Sequence, residues 1–222
     1  MQTLAMTLTR RNSRGVENKN TRTIAGKPLV QWTIEQALAS KEIDRYVVAT
    51  DDVKAMQIAD LFDVRAIRLP AELTGDDSPI MGSIKYVVNE VGGDWDVVAD
   101  IRTTNPLKTP QDIDAIIGLV KYQGAFVATG VTQAPPLERL KHLRYDLLVD
   151  VVPEPKEGLR QNLRETYTRN GSVYAMSWPA FEAGVLFGDG VVHAHFMPPE
   201  RGVNIDTELD FAVAAMLLER NK

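Results

Sequence analysis

The chain predicts a three-layer α/β fold with a central, mostly parallel sheet and an inserted arm, and three observations carry that expectation. Apolar strand-like runs alternate with helical segments along most of the 222 residues, which implies right-handed βαβ crossovers and a parallel sheet between helix layers. The alternation lapses once, between Thr132 and Arg169, and then resumes. A chain of this length with 44% hydrophobic residues can bury the core of one large domain, and no internal repeat divides it. The expectation is one domain over 1–222, with the arm at about 132–169.

Met6–Leu8 close a short apolar run ahead of a basic loop. "LVQWTIEQAL" then sets Val30, Ile34, Ala37 and Leu38 at helical spacing behind Pro28, a residue suited to a first turn. "RYVVAT", Arg45–Thr50, reads as a buried strand. Asp51 or Asp52 can cap the helix from about Val53 to Phe62, and a short strand follows around Arg65–Leu69. Next come a helix near Met81–Val91, the strand "DVVADI", a helix opening at Thr109–Pro110 and the strand "AFVATGV". Prolines 135 and 136, the alternating "LLVDVV" and the turn-rich "PEPKEG" read as a β-ribbon outside the central sheet. "GSVYAM", a short helix near "WPAFEAG", the strand "VVHAHF" and the helix "TELDFAVAAMLLER" complete the pattern.

A net charge of −5 argues against nonspecific binding to nucleic acid, which relies on broad basic surfaces. With no cysteine, disulfides and thiolate metal sites are excluded. No apolar run approaches the roughly 18–20 residues that span a bilayer, and no signal-like core opens the chain, so a cytoplasmic protein without membrane attachment is expected.

Against this acidity, residues 6–30 gather Arg10, Arg11, Arg14, Lys19, Arg22 and Lys27 around a single acid, Glu17. Open α/β sheets bind ligands beyond the carboxyl ends of their strands, and this loop follows the first strand. It contains neither GxxxxGK[ST] nor GxGxxG, which removes the main support for P-loop and dinucleotide readings. Its guanidinium forks and ammonium suit a triphosphate, with Ser13, Gly15 and Asn20 as further donors.

The stretch "RNSRGVENKN" followed by "GKPL" resembles the N-terminal signature of the CMP-sugar synthetases, the acylneuraminate cytidylyltransferase family, R-x-x-S-K-G-x-x-x-K-N then G-K-P-L. Arg10, Ser13, Gly15, Lys19 and Asn20 match, and Arg14 replaces the common lysine. "RYVVATDD", "LPAELTGDDSP", "TTNPLKTPQDID", "RQNLRETYTRNGSVYAM" and "VNIDTELDFAVA" are similar, in order, to later blocks of that family. The resemblance implies a nucleotide-diphospho-sugar transferase-like, Rossmann-like fold. It implies an enzyme that joins CMP from CTP to a 2-keto sugar acid, sialic acid or a related nonulosonic acid, using Mg²⁺ and releasing pyrophosphate. It also implies a homodimer in which the arm helps complete the partner's sugar site.

The roles so implied are catalysis by Arg10, Lys19 and Asp206, and triphosphate binding by Arg10, Ser13, Arg14, Gly15, Lys19 and Asn20. Asp76 and Ser78 would read the base. Arg102, Thr104, Arg160, Asn170 and Gly171 would meet the sugar, and Asp206 with Asn204 would hold Mg²⁺. Four positions depart from the family pattern: Asn204 replaces an aspartate, Arg102 a glutamine, Glu138 a lysine and Leu69 an arginine. The alternatives are a synthetase for the eight-carbon acid Kdo, whose loop usually ends K-P-L, and a catalytically weakened relative that binds nucleotide or sugar. Simpler roles stand beside these. Asp206 and Asp210 can merely cap a helix, and His193 with His195 on one strand face offers too few ligands for zinc.

Overall fold

The computed structural model describes residues 1–11, 15–75, 78–153, 163–185 and 190–220. Its strands are β1 (Thr3–Thr9), β2 (Thr23–Ile24), β3 (Lys27–Pro28), β4 (Arg45–Thr50), β5 (Arg65–Arg68), β6 (Val97–Ile101), β7 (Val127–Ala134), β8 (Lys141–Arg144), β9 (Leu147–Asp150), β10 (Thr166–Ser177) and β11 (Val192–Phe196). The helices are α1 (Leu29–Leu38), α2 (Val53–Asp60), α3 (Ile80–Val91), α4 (Pro110–Gln123), α5 (Trp178–Glu182) and α6 (Glu208–Arg220). Seven strands form the main sheet in the order β11-β7-β10-β6-β1-β4-β5. Its pairings are parallel except those of β10, which runs antiparallel to both β6 and β7.

This order positions the site. From β1 the chain moves outward through β4 and β5, then returns to lay β6 on the other side of β1. The reversal opens a crevice beyond the carboxyl ends of β1 and β6, the place where such sheets bind ligands.

Alternate residues of the buried strands serve opposite faces, as the two-residue period of a strand requires. In β1, Ala5 joins the core cluster that includes Val30 and Ile34 of α1, Ala59 of α2 and Ile113 and Ile116 of α4. Leu4 and Met6 join the cluster formed with Ile84 and Val87 of α3 and Phe181 of α5. The α/β/α layering expected from the sequence is therefore observed. A third cluster, with Val16, Ile24, Ile205 and Phe211, ties the basic loop to α6.

Helix starts follow local chemistry. Asp52, not Asp51, caps α2 by accepting the Lys54 N–H at 2.9 Å, while Asp51 accepts the Arg11 N–H at 2.7 Å. Thr109 and Asp112 form a reciprocal capping box on α4.

The arm differs from its expected form. Thr132 to Ala134 of β7 pair with Thr166 to Thr168 of β10, so the arm's stem continues the main sheet, and only β8 and β9 form a separate ribbon. The expected start at Thr132 therefore cuts through a strand. The stem residues are half-buried or exposed and mostly polar, so they leave little apolar alternation to read.

Candidate active site

The basic loop leaves the end of β1 and is held by groups far away in sequence. Arg10 donates from Nη1 to the Gly75 carbonyl at 3.1 Å. Buried Asn20 donates from Nδ2 to the Arg10 carbonyl at 3.0 Å and accepts at Oδ1 from Thr103 Oγ1 at 2.7 Å, tying the exits of β1 and β6 together. Two basic residues of the island have other work. Arg22 grips both carboxylate oxygens of Glu208 at 2.6 and 2.8 Å, and Lys27 pairs with Glu35 at 2.5 Å. Among the described residues of the island, Arg10 and Lys19 line the crevice, beside Arg102.

The segment after β6 is anchored by a buried cation. Lys108 Nζ donates to the carbonyls of Arg102 at 2.8 Å and Asn105 at 2.9 Å and to Thr33 Oγ1 at 3.2 Å. Burial pushes its ammonium down to about 7, against the opposing pull of Asp100 and Asp112. Asn105 completes the turn by accepting the Leu107 and Lys108 N–H groups at Oδ1 while donating to the carbonyls of Asn170 and Arg201.

The third wall is the turn ahead of α6. Lys19 Nζ donates to the Ile205 carbonyl at 2.8 Å, and the Ile205 N–H donates to the Thr104 carbonyl at 2.7 Å. A Cβ on Gly15 would overlap the Asp206 carbonyl, so only glycine permits this approach. Gly171, at φ 63°, is doubly constrained, because a Cβ there would also strike Asn204 Oδ1. Burial lowers the Lys19 pKa, and Arg10 and Arg102 add to this while Asp206 opposes it.

The two acids near α6 separate by role. Asp210 belongs to the helix start: Thr207 accepts its N–H, and its Oδ2 accepts in return from the Asp206 N–H, the Thr207 N–H and the Thr207 hydroxyl. Asp206 faces the crevice and takes a hydrogen bond from the Asn204 amide. Asn204 Oδ1 is buried without a hydrogen-bond partner and lies against Gly171. The Asp206 carboxylate fits a hard divalent ion that draws its remaining ligands from phosphates and water, while Asn204 presents its Nδ2, a donor, to that carboxylate. Among the described residues no cluster of three acidic or histidine side chains is present to hold a metal without such help.

Two clefts meet at this point. One, of about 230 Å³, is lined by Leu69, Leu73, Gly75, Ser78 and Ser83. The other, of about 500 Å³, is lined by Gly15, Lys19, Asn20, Thr103, Thr104 and Asp206. Leu8, Thr9, Arg10 and Arg102 border both.

The structure thus brings Arg10, Gly15, Lys19, Asn20, Ser78, Arg102, Thr104 and Asp206 to one crevice. Asn170 is turned away: its amide is buried against Ser172 and the Met197 sulfur, so it shapes the site from behind. Ser13, Arg14, Asp76 and Arg160 lie outside the described residues. His195 Nε2 lies 3.0 Å from Asp112 Oδ1, which ties β11 to α4. Sequence reasoning missed Lys108, Asp100 and the Asp112–Arg201–His195 cluster, all of which act through buried contacts.

The family model described as Cytidylyltransferase matches residues 4–171. The chain belongs to that family. N-acylneuraminate cytidylyltransferase B of Danio rerio is 28% identical over 95% of the chain and 50% of its own length. The CMP-N,N'-diacetyllegionaminic acid synthase of Legionella pneumophila is 26% identical, with 100% of the chain and 98% of that protein covered. The chain spans about half the length of several of the curated relatives it matches. A solved CMP:2-keto-3-deoxy-manno-octonic acid synthetase complexed with CTP superposes with a TM-score of 0.73 at 15% identity, covering 100% of both chains. That likeness shows the fold, and the resemblance to the CMP-sugar synthetases holds at the level of the family.

Proposed function

We propose that the chain couples CTP to a 2-keto sugar acid of the sialic or wider nonulosonic class, giving a CMP-sugar and pyrophosphate. The observation that carries this reading is the junction of an apolar-walled cleft of base size with a second cleft holding Arg10, Lys19 and Asp206. The acceptor hydroxyl oxygen forms a bond to the α-phosphorus, the bond from that phosphorus to the β-phosphate oxygen breaks, and the hydroxyl proton passes to solvent. Arg10 and Lys19 neutralise the phosphates and the departing pyrophosphate. Holding both reactants in one crevice supplies the rest of the rate gain.

Mg²⁺ would be held by Asp206, with Asn204 beside it, together with phosphate oxygens, and it would supply charge neutralisation of the triphosphate when bound. Arg160 is assigned to the sugar acid, so Arg160→Ala raises the KM for that acid more than the KM for CTP. Equal effects on the two would remove it from the sugar site. The β8–β9 ribbon carries Leu143, Leu147 and Leu148 exposed, and its occupant in this reading is a second copy of the chain.

Pyrophosphate release with Mg²⁺, crossing the four ribonucleoside triphosphates with nonulosonic acids and Kdo, tests the reaction. Release that needs CTP and a nonulosonic acid supports the reading. Release with Kdo alone moves the chain to the eight-carbon class, and CTP binding without release across the panel supports a weakened relative.

A further inference from the structure

Arg102 stands where the resembling family carries an uncharged glutamine, and the structure has built a seat for its charge. Its Nε donates to Asp100 Oδ2 at 2.8 Å, and its guanidinium carbon lies 5.1 Å from the centre of the Tyr174 ring. Its N–H donates to the Ser172 carbonyl, and its carbonyl accepts from Lys108. Asp100 is 1% exposed and its Oδ1 is buried without a partner, an arrangement that destabilises the fold unless the paired cation stays in place. Burial pushes the Asp100 carboxyl up, with Arg102 opposing. The side chain is therefore fixed from below and from one side. Among the described residues neither terminal nitrogen of Arg102 has a hydrogen-bond partner, and the residue borders both clefts.

The part of a nucleoside triphosphate that joins its base to its outer phosphates is the ribose and the α-phosphoryl group. Residues bordering both clefts must flank that part, and Arg10 and Arg102, at the exits of neighbouring strands β1 and β6, are the two cationic ones. We propose that Arg102 grips a non-bridging oxygen of the α-phosphoryl group and stabilises the charge gathering there as the acceptor oxygen bonds and pyrophosphate departs. Asp100 is its positioning residue. The proposal rests on the reading of the clefts as a CTP site. It gives physical sense to a paired departure, since the chain loses one carboxylate at Asn204 and gains one guanidinium at Arg102, and both changes make the site more positive.

The test uses Arg102→Gln and Arg102→Lys in the full chain. CTP affinity is read by calorimetry, thermal unfolding checks the fold, and pyrophosphate release is measured with the acceptor that the wild type uses. Arg102→Gln is expected to lower kcat about a hundredfold or more, the scale of losing one transition-state donor, with the CTP Kd and sugar KM each within about threefold. Arg102→Lys recovers part of kcat, because it restores charge without the fork. In the wild type, sulfur in place of one non-bridging α-oxygen slows the reaction, and that penalty shrinks in Arg102→Gln. Asp100→Asn moves kcat in the same direction and leaves sugar KM unchanged. A tenfold rise in sugar KM with kcat preserved overturns the proposal and gives Arg102 to the acceptor's carboxylate. An unchanged kcat overturns it outright. Failure of the wild type to bind CTP would instead sink the functional reading beneath it, so the two failures are separable.

Discussion

Between Arg102 and Lys108 the chain is mostly closed to solvent, whereas between Lys141 and Asp150 nearly every residue stands in water. The first segment has little regular structure, yet its polar groups find partners: a buried ammonium on two carbonyls, an asparagine spanning a turn, a threonine on Asn20. The second is a regular two-stranded ribbon whose leucines are exposed. Regularity and self-sufficiency are thus separate properties. A two-stranded ribbon satisfies part of its backbone but cannot bury a face by itself, while an irregular loop becomes rigid once its backbone is bonded from within.

The contrast can be broken most severely at Lys108. Lys108→Met leaves two buried carbonyls without their donor and is expected to lower stability by about 3 kcal/mol, read by urea unfolding, together with most activity. The same residue gives stability a pH signature. Its folded value of about 7 lies below the ordinary lysine value of 10.5, so between those limits the unfolded chain holds a proton that the folded one lacks. Its contribution therefore rises as pH increases from about 7 toward 10.5 and is lost as pH falls back, and Lys108→Met flattens that slope.

Next in size is Gly15→Ala, which drives the basic loop off the Asp206 carbonyl. Misplacing phosphate ligands by about an ångström is expected to lower kcat/KM roughly a hundredfold, with unfolding free energy reduced by only about 1 kcal/mol. On the ribbon the opposite split is expected. Leu143→Glu with Leu148→Glu, cross-strand neighbours, should weaken self-association at least a hundredfold by analytical ultracentrifugation while the stability of the monomer stays within about 0.5 kcal/mol. A protein that is monomeric at micromolar concentration before any substitution would remove the second copy as the ribbon's occupant.

The smallest effect lies at Asp112, behind the β6 segment. Burial raises its carboxyl pKa, but hydrogen bonds from His195, Arg201 and Thr109 outweigh that and hold it well below the usual carboxylate range. Its contribution is present above the ordinary aspartate value near 3.8 and is lost as pH falls through the folded value. Asp112→Asn should make the acid limb of a stability profile shallower below about pH 4, with turnover at neutral pH little changed.

How much of this was legible in the sequence follows from what leaves a pattern. Helix α4 was readable at its start because Thr109, Pro110 and Asp112 are cap residues acting on their own neighbours. The crevice was readable because Arg10, Lys19 and Asp206 sit in motifs. Lys108 was not readable, since "NPLKT" looks like an ordinary turn and lysine is seldom buried without a partner. Its partners are mostly backbone carbonyls, and carbonyls have no letter in a sequence. The stem of the arm escaped for a related reason: its pairing is made by backbone at strand ends that are half-buried or exposed.

The hydrogen bond from Lys19 to the Ile205 carbonyl joins residues 186 positions apart. A ribosome adding about 5–20 residues per second spends roughly 10–40 s between making one partner and making the other. Through that interval the nascent chain displays its cationic loop with no opposing wall, an open basic hook in a cell full of phosphates. In the proposed reading nucleotide affinity therefore arrives late in synthesis, as a property of the finished fold rather than of its first hundred residues, and a truncated product would carry the charge without the pocket.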